Sequence, residues 1–182
     1  MLEASAGFIA WLGASLVVVA DGRRGLALGV ATSALGMAGI AWQAAGPAAA
    51  LALAAGGALA AAGRLRSGAP GWRIAPPGST PRIVLCIGAA LVASWVGLVV
   101  TSGGGAGLRF AAVVALVLAP ARILWSDDPD VQLSAVAVLA LGAGAASAMG
   151  PSTAQPWSYV AAGLVAAAAG WLPVRPEVRD AA

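Results

Sequence analysis

The charged side chains of this chain stand in the gaps between long apolar runs or at their ends, and no Asp, Glu, Lys or Arg lies deep inside any run. That pattern constrains the fold more than any motif does. About 20 mostly apolar residues cross the hydrocarbon core of a bilayer as a helix. Only helices or closed barrels satisfy the backbone there. Runs of this kind are read near 5–20, 26–44, 47–63, 83–101, 108–125, 131–149 and 156–172. Turn-forming or polar residues bound each of them. Asp21-Gly22-Arg23-Arg24-Gly25 closes the first, and Gly46-Pro47 splits the second from the third. A polar stretch, 64–82, with Pro70, Pro76, Pro77 and Pro81, precedes the fourth. Gly103-Gly104-Gly105, then Ser126-Asp127-Asp128-Pro129-Asp130, then Gly150-Pro151 through Pro156 separate the rest. Only 9% of residues are charged and 60% are hydrophobic, against about 25% charged in soluble domains. The predicted fold class is therefore all-α, a polytopic transmembrane helix bundle of about seven spans in a single domain over 1–182.

The basic residues orient this bundle. All ten are Arg. An Arg-only, Ala-rich chain is expected from a GC-rich bacterial genome. With the N-terminus outside, Arg23, Arg24, Arg64, Arg66, Arg73, Arg82, Arg122, Arg175 and Arg179 fall inside and only Arg109 outside. Basic residues gather on the cytoplasmic side of membrane proteins, so the expected C-terminus is cytoplasmic, the stretch 64–82 is a cytoplasmic loop, and the location is the inner (plasma) membrane. Nine against one requires an odd number of spans. Trp42 and Trp157 fall at expected outer ends and Trp125 and Trp171 at inner ends, as interfacial anchors; Trp11 and Trp95 fall nearer mid-span. The positive charges follow the first apolar run instead of preceding it, so an uncleaved first helix is expected in place of a signal peptide. Topology accounts for the basic pI, and no nucleic-acid partner is expected.

The spans are rich in small residues. The stretches 48–63 and 161–169 are nearly all Ala and Gly with a few larger apolar residues. Such helices suit protein neighbours better than lipid, because small side chains let backbones approach. Gly25, Gly29 and Ser33 form one small-xxx-small row; Gly142, Ala146 and Gly150 form another. Leu16-Val17-Val18 followed by Gly22 and Gly25-Leu26 matches, at equal spacing, Leu98-Val99-Val100 followed by Gly104 and Gly107-Leu108. That match raises an inverted repeat of spans 1–3 and 4–6, an arrangement used by transporters.

Missing chemistry narrows function. Ionisable residues within spans mark proton relays and ion sites, and Glu3, Asp21 and Arg109 sit only at span ends. Without Lys a retinal Schiff base is excluded. Without His, imidazole ligation of haem or chlorophyll and any ordinary zinc site are excluded. The single Cys86 reads as a small buried residue. No catalytic, cofactor-binding or metal residue is assigned, and no cofactor is expected.

The candidate contacts with a partner or with lipid are Arg64, Arg66, Trp72, Arg73 and Arg82 in the polar stretch, and Asp127, Asp128 and Asp130 in the acidic turn. The basic set could dock a cytoplasmic subunit or anionic head groups, or be a plain solvated loop. The acidic set could hold a cation or a basic partner; the plainer reading is a turn around Pro129 in which Asp130 caps the sixth helix. Pro120 is expected to kink the fifth helix. Gln43, Gln132, Ser94 and Ser147 could line a polar path or bond across helices.

Three functions compete. The first is a non-catalytic integral membrane subunit that packs against and scaffolds a larger bacterial membrane complex, respiratory or energy-converting, with membrane lipids and other membrane subunits as partners. Three spans, an Arg-bearing inner loop, then four more, with the Arg23-Arg24 pair after the first, resembles in order and charge the small membrane subunits of complex I-related hydrogenases. The acidic residue such subunits often carry within a span is missing here. The second is a small transporter or channel built from inverted three-helix repeats. The third is an enzyme acting on lipid, for which only Asp127 to Asp130 offers a cluster.

Overall fold

The computed structural model describes residues 2–100, 105–149 and 156–173. Within them the chain is helical, without a strand. The helices are α1 (Leu2–Val19), α2 (Arg23–Ala45), α3 (Pro47–Arg66), α4 (Thr80–Trp95), α5 (Ala106–Leu124), α6 (Pro129–Ala146) and α7 (Pro156–Trp171). A π-helical turn, Val96–Val100, extends α4, and a 3₁₀ turn, Ser147–Met149, extends α6. Every one of these helices overlaps one of the seven apolar runs. With α4 taken through Val99 and α6 through Met149, six of them are long and apolar enough to cross a membrane; α7, with 16 residues, is shorter. The chain is a multi-pass membrane protein by this measure. Arg175, Arg179, Gly103, Gly104, and Gly150 through Gln155 lie outside the described residues.

The sequence explains the helix ends. Pro stands in the first turn of α3, α4 and α6, where its missing N–H has no helical partner to lose. Gly46, at φ 88°, reverses the chain between α2 and α3, and its N–H bonds back to the carbonyls of Ala41 and Trp42. α5 continues through Pro120 to Leu124.

The helices form two layers. α1, α2 and α3 lie side by side, as do α5, α6 and α7, and the layers stack α1 on α5, α2 on α6 and α3 on α7, each pair parallel. α4 stands at the edge against α5, with a smaller contact to α1. Spans 1–3 thus stack on spans 5–7; the second copy of the short repeat match runs through 101–104, outside the described residues. α2 is the most enclosed helix and α4 the least, with 67% and 22% of their spans buried.

Small residues set the spacing. A Cβ built on Gly56 would run into the backbone of Gly163, one on Gly63 into Gly170, and one on Gly36 into the backbone of Ala10. The row Gly25, Gly29 and Ser33 faces α1: a Cβ on Gly29 would fall 2.7 Å from Val17 Cγ2, and Ser33 lies against Gly13. Gly142 meets Ala115 across α6 and α5. Backbones at this range gain dense van der Waals contact, the main attraction between helices where lipid is as apolar as the side chains. Larger apolar side chains such as Phe8, Leu35, Leu51, Leu91, Trp95 and Leu164 point outward.

The turn after α1, the segment after α3, the α5–α6 turn and the end of α7 share one end of the bundle. Backbone bonds stitch the first two together: Asp21 N–H to Arg73 O (3.1 Å), Arg23 N–H to Ala69 O (2.8 Å), Arg24 N–H to Gly71 O (3.2 Å) and Ala75 N–H to Val19 O (3.2 Å). This stitching holds Arg73 and Ala75 at φ 39° and 49°, a left-handed conformation that costs about 1 kcal/mol or more at each non-glycine residue. The polar connection is also shorter than the sequence suggested. α3 runs on to Arg66 and α4 begins at Thr80, so Arg64 and Arg82 are helical and the loop proper is 67–79. Helix continues through Arg64 because its side chain finds partners inside the bundle.

Candidate functional site

Most charged groups among the described residues gather at one end of the bundle, which holds seven of the eight described Arg: Arg23, Arg24, Arg64, Arg66, Arg73, Arg82 and Arg122. Two ionic clusters form there. In the first, Arg64 in the last turn of α3 is 1% exposed. One guanidinium nitrogen donates to Asp130 Oδ1 at 2.7 Å. The other donates to the carbonyls of Ala169 and Gly170, both at 2.8 Å. Those carbonyls belong to the last turn of α7, where the helix supplies no further N–H groups among the described residues. A cation there also meets the negative end of the helix dipole. Arg64 thus ties the ends of α3 and α7 to the start of α6.

Asp130 is free to do this because another residue caps α6. Asp128 is the N-cap, its Oδ1 accepting from the Asp130 N–H at 2.9 Å. The expectation that Asp130 caps the helix is therefore corrected. Pro129 occupies the first helical position, the cap falls on the residue before it, and Asp130 turns inward to Arg64.

The second cluster joins α1, α4 and α5. Asp21 follows α1 and is a quarter exposed; it accepts from Arg82 through both oxygens, at 3.0 Å each. It also pairs with Arg122, which is 2% exposed. Arg122 donates further to Ala20 O at 3.1 Å. Two cations share one carboxylate here. At the opposite end Glu3 Oε1 accepts from the N–H groups of Gly107 (3.1 Å) and Leu108 (3.3 Å), capping α5. α1 and α5 are therefore joined at both ends, by Glu3 at one and by Asp21 with Arg122 at the other.

Of the residues singled out from sequence, Arg64 and Asp130 are buried against each other, and Arg82 is half-buried on Asp21. Arg66, Trp72, Arg73, Asp127 and Asp128 are exposed. Arg66 stacks over Trp171 at 4.5 Å, and the Trp171 indole donates to Leu59 O at 2.9 Å. The basic and acidic candidates meet only through the Arg64–Asp130 pair. Asp21 was read merely as a span-end charge, and Arg122 only as one of the Arg on the expected inner side. A signal for them existed: Arg122 interrupts an apolar run, where a charge needs a partner.

The polar candidates Gln43, Gln132, Ser94 and Ser147 do not share a cavity among the described residues. Gln43 bonds back to Gly39 O, and Gln132 donates to Ser126 O and Ile123 O at the end of α5. Ser147 pairs with Ser158 at 2.8 Å. Ser94 lines a groove of about 250 Å³ among Phe8, Leu98 and Phe110. Cys86 is buried, and the Trp11 indole donates to its carbonyl at 3.1 Å. No group of three or more His, Cys, Asp or Glu able to hold a metal ion occurs among the described residues. The chain matches no known protein family, no curated protein and no solved structure.

Proposed function

We propose that this chain is a non-catalytic integral membrane subunit that packs against and scaffolds a larger bacterial membrane complex, with respiratory or energy-converting assemblies as the first candidates. In this reading the chain crosses the inner membrane seven times, with its N-terminus outside and its C-terminus in the cytoplasm. The arginine-rich end then faces the cytoplasm, in keeping with the preference of basic residues for that side. α7 is about 24 Å long at 1.5 Å per residue, short for a hydrocarbon core of about 30 Å. Its ends carry Trp157 and Trp171, both exposed, which suit the two interfaces, and a neighbouring subunit relieves such a mismatch.

The observation that carries the proposal is the use made of the buried charges. Buried Arg64, Asp130 and Arg122, the last paired with the part-exposed Asp21, are committed to ion pairs and to helix ends, as befits a scaffold. In a transporter such groups face a path. The scattered placement of Gln43, Gln132, Ser94 and Ser147 weighs the same way. α4 leaves Ile83, Val84, Ile87, Leu91 and Trp95 exposed, and this face is the one offered to a partner.

Affinity purification of the tagged chain from its native membrane in mild detergent tests the proposal. Stoichiometric co-purification of larger membrane chains is expected, and Leu91→Arg should release them. A stable monomer that moves a solute into liposomes would sink the subunit reading. For the topology, single cysteines at Arg73 and at Gly105 should be labelled from opposite sides of the membrane, Arg73 from the cytoplasm.

A further inference from the structure

A groove of about 580 Å³ opens between α2 and α3 at the arginine-rich end. Its space comes from small side chains, Ala31 on α2 and Ala58 and Ala62 on α3, while Leu28 and Leu65 stand exposed beside it. Two residues of a different kind share this lining, Arg24 and Trp72. Arg24 opens α2, is exposed, and makes no ion pair with a described residue. Trp72 comes from the loop after α3, and the stitching described above fixes it: the Arg24 N–H bonds to Gly71 O at 3.2 Å. The carbonyl of Trp72 also lies 2.8 Å from where a Cβ on Gly22 would stand. The two residues are therefore brought together across the α1–α2 turn, with an apolar trough running away from them.

We infer that this groove binds one anionic phospholipid from the leaflet at the arginine-rich end, its phosphate on Arg24, its glycerol region against Trp72 and an acyl chain along the Ala31–Ala58 trough. Charge decides the occupant. A helix from a partner needs only the apolar trough, whereas a guanidinium with no counter-charge among the described residues, beside an interfacial indole, matches a head group. A contrast within the molecule supports this. The groove of about 400 Å³ among α1, α2 and α3 at the other end is lined by Trp42 and Gln43 and holds no charged residue. Of these two grooves, the one at the arginine-rich end carries the cation that selects an anion. The inference requires a membrane but no partner subunit, so it stands or falls separately from the scaffold reading.

The test is native mass spectrometry of the full chain, extracted in mild detergent and exchanged into nanodiscs of phosphatidylcholine containing phosphatidylglycerol. One retained phosphatidylglycerol per chain is expected, in preference to phosphatidylcholine. Arg24→Gln should lower its retention about fivefold, the worth of one basic side chain near an anionic surface. Ala58→Phe fills the trough at an exposed position and should abolish retention with Arg24 intact. Arg66→Gln, which changes a guanidinium engaged with Trp171, should leave retention unchanged. Equal retention of phosphatidylcholine, or wild-type retention in both Arg24→Gln and Ala58→Phe, overturns the inference. So does a cysteine at Leu28 or Leu65 that cross-links to another protein in cells.

Discussion

The Arg64–Asp130 pair lends itself to a double-mutant cycle, because the structure sets different costs for losing each partner. Removing Asp130 leaves a guanidinium that is 1% exposed without its counter-charge, a loss that costs about 3–5 kcal/mol in buried pairs. The carbonyls of Ala169 and Gly170 remain on Arg64 and carry part of the negative end of a helix dipole. Asp130→Ala should therefore fall at the low end, about 3 kcal/mol. Arg64→Met removes three short bonds instead. Interhelical bonds in a membrane protein average about 0.6 kcal/mol, which gives about 2 kcal/mol. The Asp130 side chain left behind is 12% exposed and reaches water more readily than Arg64 does. In the double variant only the α7 carbonyls lose a partner, at about 1 kcal/mol. The single losses sum to about 5 kcal/mol, so the coupling energy is about 4 kcal/mol. Reversible unfolding in mixed micelles, followed by the fluorescence of the seven Trp, measures all four corners. Additive losses, or a smaller loss for Asp130→Ala than for Arg64→Met, would refute the account of Arg64 as a buried, charge-dependent clamp.

Three further outcomes follow from the same geometry and the same unfolding assay. Asp21→Asn should cost about 2–4 kcal/mol because it strands buried Arg122, whereas Arg82→Gln, at a partner 26% exposed, should cost under about 1 kcal/mol. Gly56→Ala should cost about 1–3 kcal/mol by pushing α3 from Gly163, while Gly88→Ala, into open space on α4, should be neutral or stabilising by up to about 1 kcal/mol. Glu3→Ala removes the acceptor at the start of α5 and should cost about 0.5–2 kcal/mol; no change would show that α5 needs no cap at that end.

The helices were legible because their signals are local. Apolar runs of bilayer length, broken by Gly46-Pro47, Asp128-Pro129 and Pro156, mark where each begins and ends. Helix partners were not legible, because nothing local encodes which face of one helix meets another. Arg64 and Asp130 are 66 positions apart, and Asp21 and Arg122 are 101 apart. The short Leu-Val-Val match suggested an inverted repeat of spans 1–3 and 4–6, and its second copy runs through 101–104, outside the described residues. Counting Arg by side treated each as a topological marker alone. Arg64 and Arg122 share the arginine-rich end with the others, but their charges are spent inside the bundle.

A bundle built from Ala and Gly faces a problem of register. When most faces are small and smooth, sliding one helix past another by a turn changes little of the van der Waals energy, and many packings compete. Polar groups at helix ends remove that degeneracy. Glu3 fixes the start of α1 against α5, and Asp21 with Arg122 fixes their far ends. Arg64 fixes α3 and α7 at one end, within a turn of the Gly63–Gly170 contact. A shift of one helical turn, about 5.4 Å, would separate every one of these pairs and leave a buried charge exposed to the apolar interior. The few charges the chain keeps within its helices are thus placed where they cost least in a membrane, near the ends, and where one wrong register costs most.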